Sequence, residues 1–485
     1  MSFDPLKPIV IIAIHTIRHP TFLVAGLIIP LLGLAWPINH GHANDERGAW
    51  SEVVDWPIIA LHTVLTPDGR VLSYGSATNG DQGASSVYDV WDPADGLGPD
   101  SHLTLPNGSG VDSFCSGQLL LPQSGEVIAV GGNSLESVAR FRYQDSSMRD
   151  AGDLEDARWY GTLTILPDGR LVIQGGTNFG SNGWLPSITP EISDDGVTWR
   201  LLNGASSAEV YDGDNENRWW YPRSFVAPDG RIFGITGSVI YYLDPDGDGS
   251  LDLVEPLTSA SKGATSTAVM YRPGRILQAG GGGFHSNDDA LLNDIATTAA
   301  TIIDINGLTP VQSAAAPMRY ARHWANSTLL PNGDVLVTGG SRINNLLQGV
   351  ANTAEIWNPD TDAWTSVAEG SVARLYHSSA LLLPDGRVLV TGGGSPGPLT
   401  NLNAEVYEPP YLFDGSAPAL TRPAIVDAPT VLDVGGAFAI TVGDDDTIAR
   451  VTLIKTGATT HSFNMDQRFL ELEFSQAGST VTMSA

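Results

Sequence analysis

Short apolar runs alternate with Pro–Gly turns along this chain, and seven of the turns share one pattern. An apolar stretch enters the turn and leaves through β-branched residues, usually ending on a glycine pair. The runs read LHTVLTPDGRVLSYG, LLLPQSGEVIAVGG, LTILPDGRLVIQGG, FVAPDGRIFGITG, AVMYRPGRILQAGGG, TLLPNGDVLVTGG and LLLPDGRVLVTGGG. Their prolines (Pro67, Pro122, Pro167, Pro228, Pro273, Pro331 and Pro384) are separated by 55, 45, 61, 45, 58 and 53 residues. A hairpin recurring at a period of about 50 predicts one propeller blade per repeat. The stretches SSVYDVWDP (85–93), SSAEVYD (206–212), SVIYYLDP (238–245), NTAEIWNP (352–359) and NAEVYEPP (403–410) predict the next strand of a blade, with Asp/Asn-Pro setting the turn. AWSEVVDW (49–56) has strand character without a repeat of its own. It is expected to complete the last blade and close the ring, which removes exposed sheet edges.

The repeat stops after Pro410, and FAITV, ARVTLIKT and FLELEF alternate as strands of a second unit. The fold class is therefore all-β: a seven-bladed kelch-type β-propeller over 44–410, followed by a small C-terminal β-sandwich over 411–485. The 54 glycines and 31 prolines, with no long amphipathic helical pattern, agree with that class.

Acidic residues outnumber basic ones 54 to 25, for a net charge of −29. Such a surface repels phosphate backbones and excludes nucleic acid as a partner. At the N-terminus, Lys7 and Arg18 precede the apolar run Phe22–Trp36 and a polar stretch ending in Gly41-His42-Ala43. That order predicts a cleaved secretory signal over 1–43, with an uncleaved membrane anchor as the alternative. Either one places the body outside the cytosol, as a monomer. The single cysteine, Cys115, precludes an intramolecular disulfide. A lone thiol in an oxidising compartment has to be buried or chemically used.

Seven residues before each proline stand Ala60, Cys115, Tyr160, Tyr221, Ser266, Trp324 and His377. If the run is the innermost strand, seven residues at about 3.3 Å each put them roughly 23 Å from the turn, ringing one mouth of the channel. Cys115 and Tyr160 come from adjacent blades, and Tyr376 adjoins His377. Propeller cavities of this kind let several blades each contribute one side chain.

Four motifs then carry a resemblance: DSFCSG (112–117), ARWYGTLTILPDGRLVIQGG (157–176), RLYHSSALLLPDGRVLVTGGG (374–394) and THSFNMDQR (460–468). Together, and in this order, they resemble the glyoxal oxidase/galactose oxidase family of copper radical oxidases, more closely the glyoxal oxidase branch. The resemblance runs from about Trp50 to the last residues. It implies a thioether-linked tyrosyl cofactor made by Cys115 and Tyr160. It further implies copper held by Tyr160, His377 and His461, with Tyr376 as axial tyrosine and proton acceptor. His461 would reach the channel mouth on a hairpin of the C-terminal unit. The residue types agree, because two imidazoles with phenolate oxygen suit Cu(II). The activity implied is oxidation of small aldehydes or primary alcohols by O2, with hydrogen peroxide as product. The alternative is a non-catalytic propeller that binds a glycan or protein partner.

Two departures from the family pattern are visible. His323 and Trp324 stand near the mouth in RHWANS, and with Arg218, Tyr221 and Arg223 of RWWYPR they are candidates for shaping a substrate pocket. The chain also stops before the family's final strands. The family's stacking aromatic over the modified ring is matched to Trp184, the nearest candidate in GSNGWLP. Finally, DPDGDGSLDLVE places Asp244, Asp246, Asp248, Asp252 and Glu255 at positions 1, 3, 5, 9 and 12 of a calcium loop, making Ca2+ a second candidate cation.

Overall fold

The repeat folds as the apolar–turn–apolar pattern requires. A computed structural model describes residues 10–16, 24–25 and 45–484, apart from 181–182, 214–216, 284–293, 419–422, 433–434 and 444–445. Among the described residues, seven antiparallel meanders follow one another at 62–106, 117–153, 159–201, 223–253, 267–315, 326–369 and 378–408. The first six have four strands in sequence order, and the third also carries a short hairpin strand, Gly183–Pro186. The seventh has three strands and takes Ala49–Trp50 from the N-terminal side as its outermost partner, in register Ala49↔Glu408 and Trp50↔Tyr407. The ring therefore closes as AWSEVVDW leads one to expect. The result is a propeller, with a C-terminal β domain behind it.

The PDGR turn has a local cause. At Leu166–Arg170 the Leu166 N–H donates to the Arg170 carbonyl at 2.8 Å, and the Gly169 N–H donates to the Leu166 carbonyl at 3.0 Å. Gly169 has φ +91°, a conformation glycine adopts without a Cβ clash. Asp168 Oδ1 accepts the Arg170 N–H while Oδ2 accepts from Arg170 Nε. The same turn recurs at 66–70, 227–231 and 383–387.

The glycine pair serves the opposite end of the strand. A Cβ on Gly131 would stand 2.1 Å from the Arg158 carbonyl oxygen, and one on Gly339 2.5 Å from that of Arg374. Without side chains, each pair lets the following blade's mouth lie against it. The Gly132, Gly176, Gly281 and Gly340 N–H groups donate to carbonyls of Arg158, Trp219, Arg322 and Arg374 at 2.6–2.8 Å.

Three blades are further fixed by buried ion pairs: Arg158–Glu191, Arg322–Glu355 and Arg374–Glu405. Glu355 also accepts the Arg319 N–H at 2.7 Å, while Arg322 donates to the Gly339, Ala351 and Thr353 carbonyls. Removing one partner leaves an uncompensated buried charge, which costs about 3–5 kcal/mol. Glu355→Ala is therefore expected to lower unfolding free energy by about that amount, read from chemical denaturation.

One strand expectation is corrected. SSAEVYD is no strand; Ala208–Tyr211 is a helical turn, with Ser207 as its N-cap accepting from the Val210 N–H at 3.2 Å. Glu191–Ser193 takes the strand position in that sheet and brings Glu191 to Arg158. The surplus segment instead buries Val210 and Tyr211 against the fourth blade.

The C-terminal unit packs the sheet Ile448–Lys455/Arg468–Leu472 against a second sheet of four strands from Ile425 to Met483. Ile440, Val442, Ile448, Val451, Val481 and Met483 form its core. Within the stretch expected to be a leader, Val10–Thr16 pairs antiparallel with Ile448–Lys455. The apolar run Phe22–Trp36 lies outside the described residues, apart from Val24–Ala25. No helix among the described residues is long and apolar enough to cross a membrane.

Candidate copper site

The mouth residues share a backbone conformation as well as a sequence position. Cys115, Tyr160, Tyr221, Trp324 and His377 all have positive φ, between 41° and 69°. Non-glycine residues rarely stay in that region unless the surroundings hold them there. Here the surroundings are one another: the Tyr160 N–H donates to the Cys115 carbonyl at 3.0 Å, and the Tyr221 N–H to the Tyr160 carbonyl at 2.9 Å.

The remaining expected ligand, His461, arrives from the second unit. Ala458–Thr460 and Phe463–Asn464 form a hairpin whose two turn residues, His461 and Ser462, have φ of 47° and 64°. Two positive φ values make the tight turn that suits a two-residue hairpin. The hairpin enters the propeller axis: Ala458–Thr459 pairs with the first blade's inner strand, and Phe463 pairs in parallel with the fifth's Ala268. Arg223 fixes its tip, donating to the carbonyls of Tyr221, Ala264, Ser266 and His461.

These elements bring the five expected residues into one buried cluster. Cys115 Sγ lies 3.5 Å from His461 Nε2 and 4.0 Å from His377 Nε2. Among the described residues, Cys115, His377 and His461 form the group whose ligand atoms all lie within 4.8 Å of one another. The hydroxyls of Tyr160 and Tyr376 are in hydrogen-bond contact. His377 Nδ1 donates to the Gly394 carbonyl at 2.7 Å, which leaves Nε2 unprotonated and aimed into the cluster. His461 Nδ1 bonds Thr460 Oγ1 at 2.6 Å, which likewise turns Nε2 inward. Two inward-facing imidazole nitrogens, two phenols and a thiol fit copper.

The aromatic over Tyr160 is Trp220, with ring centroids 4.3 Å apart and planes at 11°. Trp184, matched to that aromatic from the sequence, sits on the hairpin strand Gly183–Pro186, and its side chain lies outside the described residues. Trp220 stands eight residues before Pro228, as Tyr376 does before Pro384, so a second repeat register would have found it.

The other pocket candidates are placed differently from one another. Trp324 packs on Tyr376 at 4.6 Å and Trp220 at 5.9 Å, and so lines the cluster. Tyr221 is buried beneath Tyr160, its hydroxyl donating to the Ser116 carbonyl. Arg223 is a wall tie between blades, and His323 is fully buried against Thr265 Oγ1 at 2.6 Å. Arg218 turns outward to the Glu209 carbonyl.

The calcium loop is not assembled. Asp246 pairs with Arg170 and Asp252 with Arg231, while Ser250–Leu253 is an extended strand, so the acids do not converge.

Burial sets the electrostatics. It pushes the Tyr160, Tyr376 and Cys115 protons toward retention, and it holds His461 and His62 well below the ordinary imidazole range. His377 falls to about 3 and His323 to about 4, both by desolvation. A histidine whose folded pKa is depressed contributes stability that is full above its unfolded value, about 6.5, and lost as pH falls toward the folded value. Melting of the copper-free protein is therefore expected to drop steeply between about pH 6.5 and 4. His323→Asn should flatten that dependence.

Comparison with known proteins places the chain. Residues 107–411, more than half of it, match the family model described as glyoxal oxidase N-terminus. The chain belongs to that family. Residues 422–485 match the galactose oxidase-like, Early set domain. A galactose oxidase from Gibberella zeae is 30% identical over 465 residues, covering 89% of this chain and 65% of the relative. The chain thus spans 65% of that relative's length. An aldehyde oxidase GLOX from Vitis pseudoreticulata is 27% identical over 402 residues, covering 75% and 73% of the two chains. A fungal alcohol oxidase of the AA5 family, solved in complex with copper, shares the fold at a TM-score of 0.80 and 23% identity, covering 90% of this chain and 92% of that one.

Proposed function

We propose that this chain is an extracytoplasmic copper radical oxidase that oxidises a small aldehyde or primary alcohol with O2 and releases hydrogen peroxide. The observation that carries the reading is the convergence of Cys115, Tyr160, Tyr376, His377 and His461 in one buried cluster. The relatives' names bracket the substrate class between aldehydes and alcohols. The division into a leader over 1–43, a propeller over 44–410 and a sandwich over 411–485 belongs to the same proposal.

His377 and His461 would hold copper through Nε2, with Tyr160 and Tyr376 through their phenol oxygens. Copper would take up one electron, and an oxidised, thioether-modified Tyr160 would take up the other of the two that substrate oxidation releases. Tyr376, whose hydroxyl meets that of Tyr160, would accept the substrate proton once copper holds it as a phenolate. Trp220 and Trp324 wall the cluster and exclude water from it.

Copper-loaded protein should generate peroxide from glyoxal, methylglyoxal, glycolaldehyde or galactose, and His377→Ala should abolish it. Peptides carrying Cys115 and Tyr160 should run joined and two hydrogens light. Separate peptides, a thiol that still reacts in unfolded copper-treated protein, and no peroxide would leave a binding propeller instead.

A further inference from the structure

The first blade contributes a residue to this cluster that lies outside the repeat position. We propose that His62 is a positioning residue that sets Cys115 for thioether formation, an inference that rests on the oxidase reading. His62 opens the inner strand His62–Leu65 and is fully buried. Its Nε2 accepts the Cys115 backbone N–H at 3.1 Å. A backbone amide can only donate, so the nitrogen facing it must be unprotonated.

Cys115 is thereby held from both sides. His62 takes its N–H, and its carbonyl takes the Tyr160 N–H at 3.0 Å, while the residue itself sits at φ +63°. Without the His62 acceptor that amide would be a buried donor with nothing to bind, and the left-handed conformation would lose one of its two restraints. The imidazole is fixed in turn by stacking on Tyr74, with centroids 4.4 Å apart and planes at 7°. The Tyr74 hydroxyl donates to Gln118 Oε1 at 2.6 Å, and Gln118 Nε2 donates to the Thr459 carbonyl of the His461 hairpin at 3.0 Å. His62 thus registers the first blade, the Cys115 backbone and the His461 hairpin against one another.

The reaction this serves breaks the Cys115 S–H and a ring C–H of Tyr160 ortho to the hydroxyl, and forms one C–S bond. The two protons and two electrons released pass to dioxygen, giving hydrogen peroxide. Its rate depends on how closely the sulfur is held against the ring, and small misplacements of reacting groups cost on the order of 10²-fold.

The test uses full-length protein produced without copper and then given copper and oxygen, following the joined Cys115–Tyr160 peptide by mass over time. His62→Phe keeps a ring on Tyr74 but offers no acceptor. His62→Gln loses the ring but presents an amide oxygen at similar reach. The joined peptide should form on the order of 10²-fold more slowly in His62→Phe. In His62→Gln it should form at close to the wild-type rate, and both variants should take up copper. Joining at the wild-type rate in His62→Phe, or equal slowing in both variants, overturns the proposal. If His62→Phe does not fold, His62→Met takes its place in the same comparison. A wild type that takes up copper and never joins the peptides overturns the oxidase reading itself, a different result from either.

Discussion

Tyr160→Phe is expected to reduce peroxide production to background while His377 and His461 still retain copper. The phenyl ring fits the slot between Trp220 and Trp159, so packing is kept. What is lost is the hydroxyl that meets Tyr376, worth about 1 kcal/mol as a hydrogen bond, and the phenol whose oxidation the proposed chemistry would need. A phenylalanine ring offers no oxygen to a metal and no phenol to oxidise after sulfur attachment. The Cys115 and Tyr160 peptides should consequently run separately in this variant. Copper stoichiometry, melting temperature and peptide mass together distinguish loss of chemistry from loss of fold. Peroxide at the wild-type rate from Tyr160→Phe would remove Tyr160 from the mechanism.

Tyr376→Phe should behave differently, and the contrast is informative. It removes a hydroxyl from the cluster but leaves Cys115 and Tyr160 as they are, so the joined peptide should still form. Its ring packing on Trp324 and Trp220 is unchanged. A missing general base typically slows turnover by 10² to 10⁴-fold, and that range is the expected effect. Copper-loaded Tyr376→Phe with wild-type turnover would show that another group takes the substrate proton.

The candidate site was legible in the sequence wherever the repeat carried it. Cys115, Tyr160 and His377 share one register, and in the structure five of its seven residues, these three among them, have left-handed backbone angles. Trp220 and Tyr376 share the next register, which went unused for Trp220. Its role could not be read from neighbours in sequence, because the ring it covers belongs to the preceding blade. His62 was harder still. It sits five residues before Pro67, where no other blade has a comparable residue, and its partner Cys115 is 53 positions away. The calcium spacing failed for a related reason. Ligand spacing predicts a site only when the loop wraps, and here Ser250–Leu253 pairs with Tyr241–Asp244 as a strand that carries Asp252 toward Arg231.

By itself the sequence determined the blade period, the PDGR turns, the closing strand and the identity of the five cluster residues. The first three follow from local chemistry: proline and glycine fix backbone angles, the Asp–Arg pair braces the turn within three residues, and period-two apolarity fixes which face is buried; the five residues come from the resemblance of their motifs to the oxidase family. The tertiary structure alone decided that Trp220 stacks on Tyr160, that Arg223 ties the carbonyls of Tyr221, Ala264, Ser266 and His461 together, and that His62 reaches Cys115. It also decided that Ala208–Tyr211 is a helical turn, with the strand position taken by Glu191–Ser193 and Glu191 paired to Arg158. These depend on contacts between blades and between the two units. Such contacts form around the channel axis, and they have no spacing along the chain for a sequence to display.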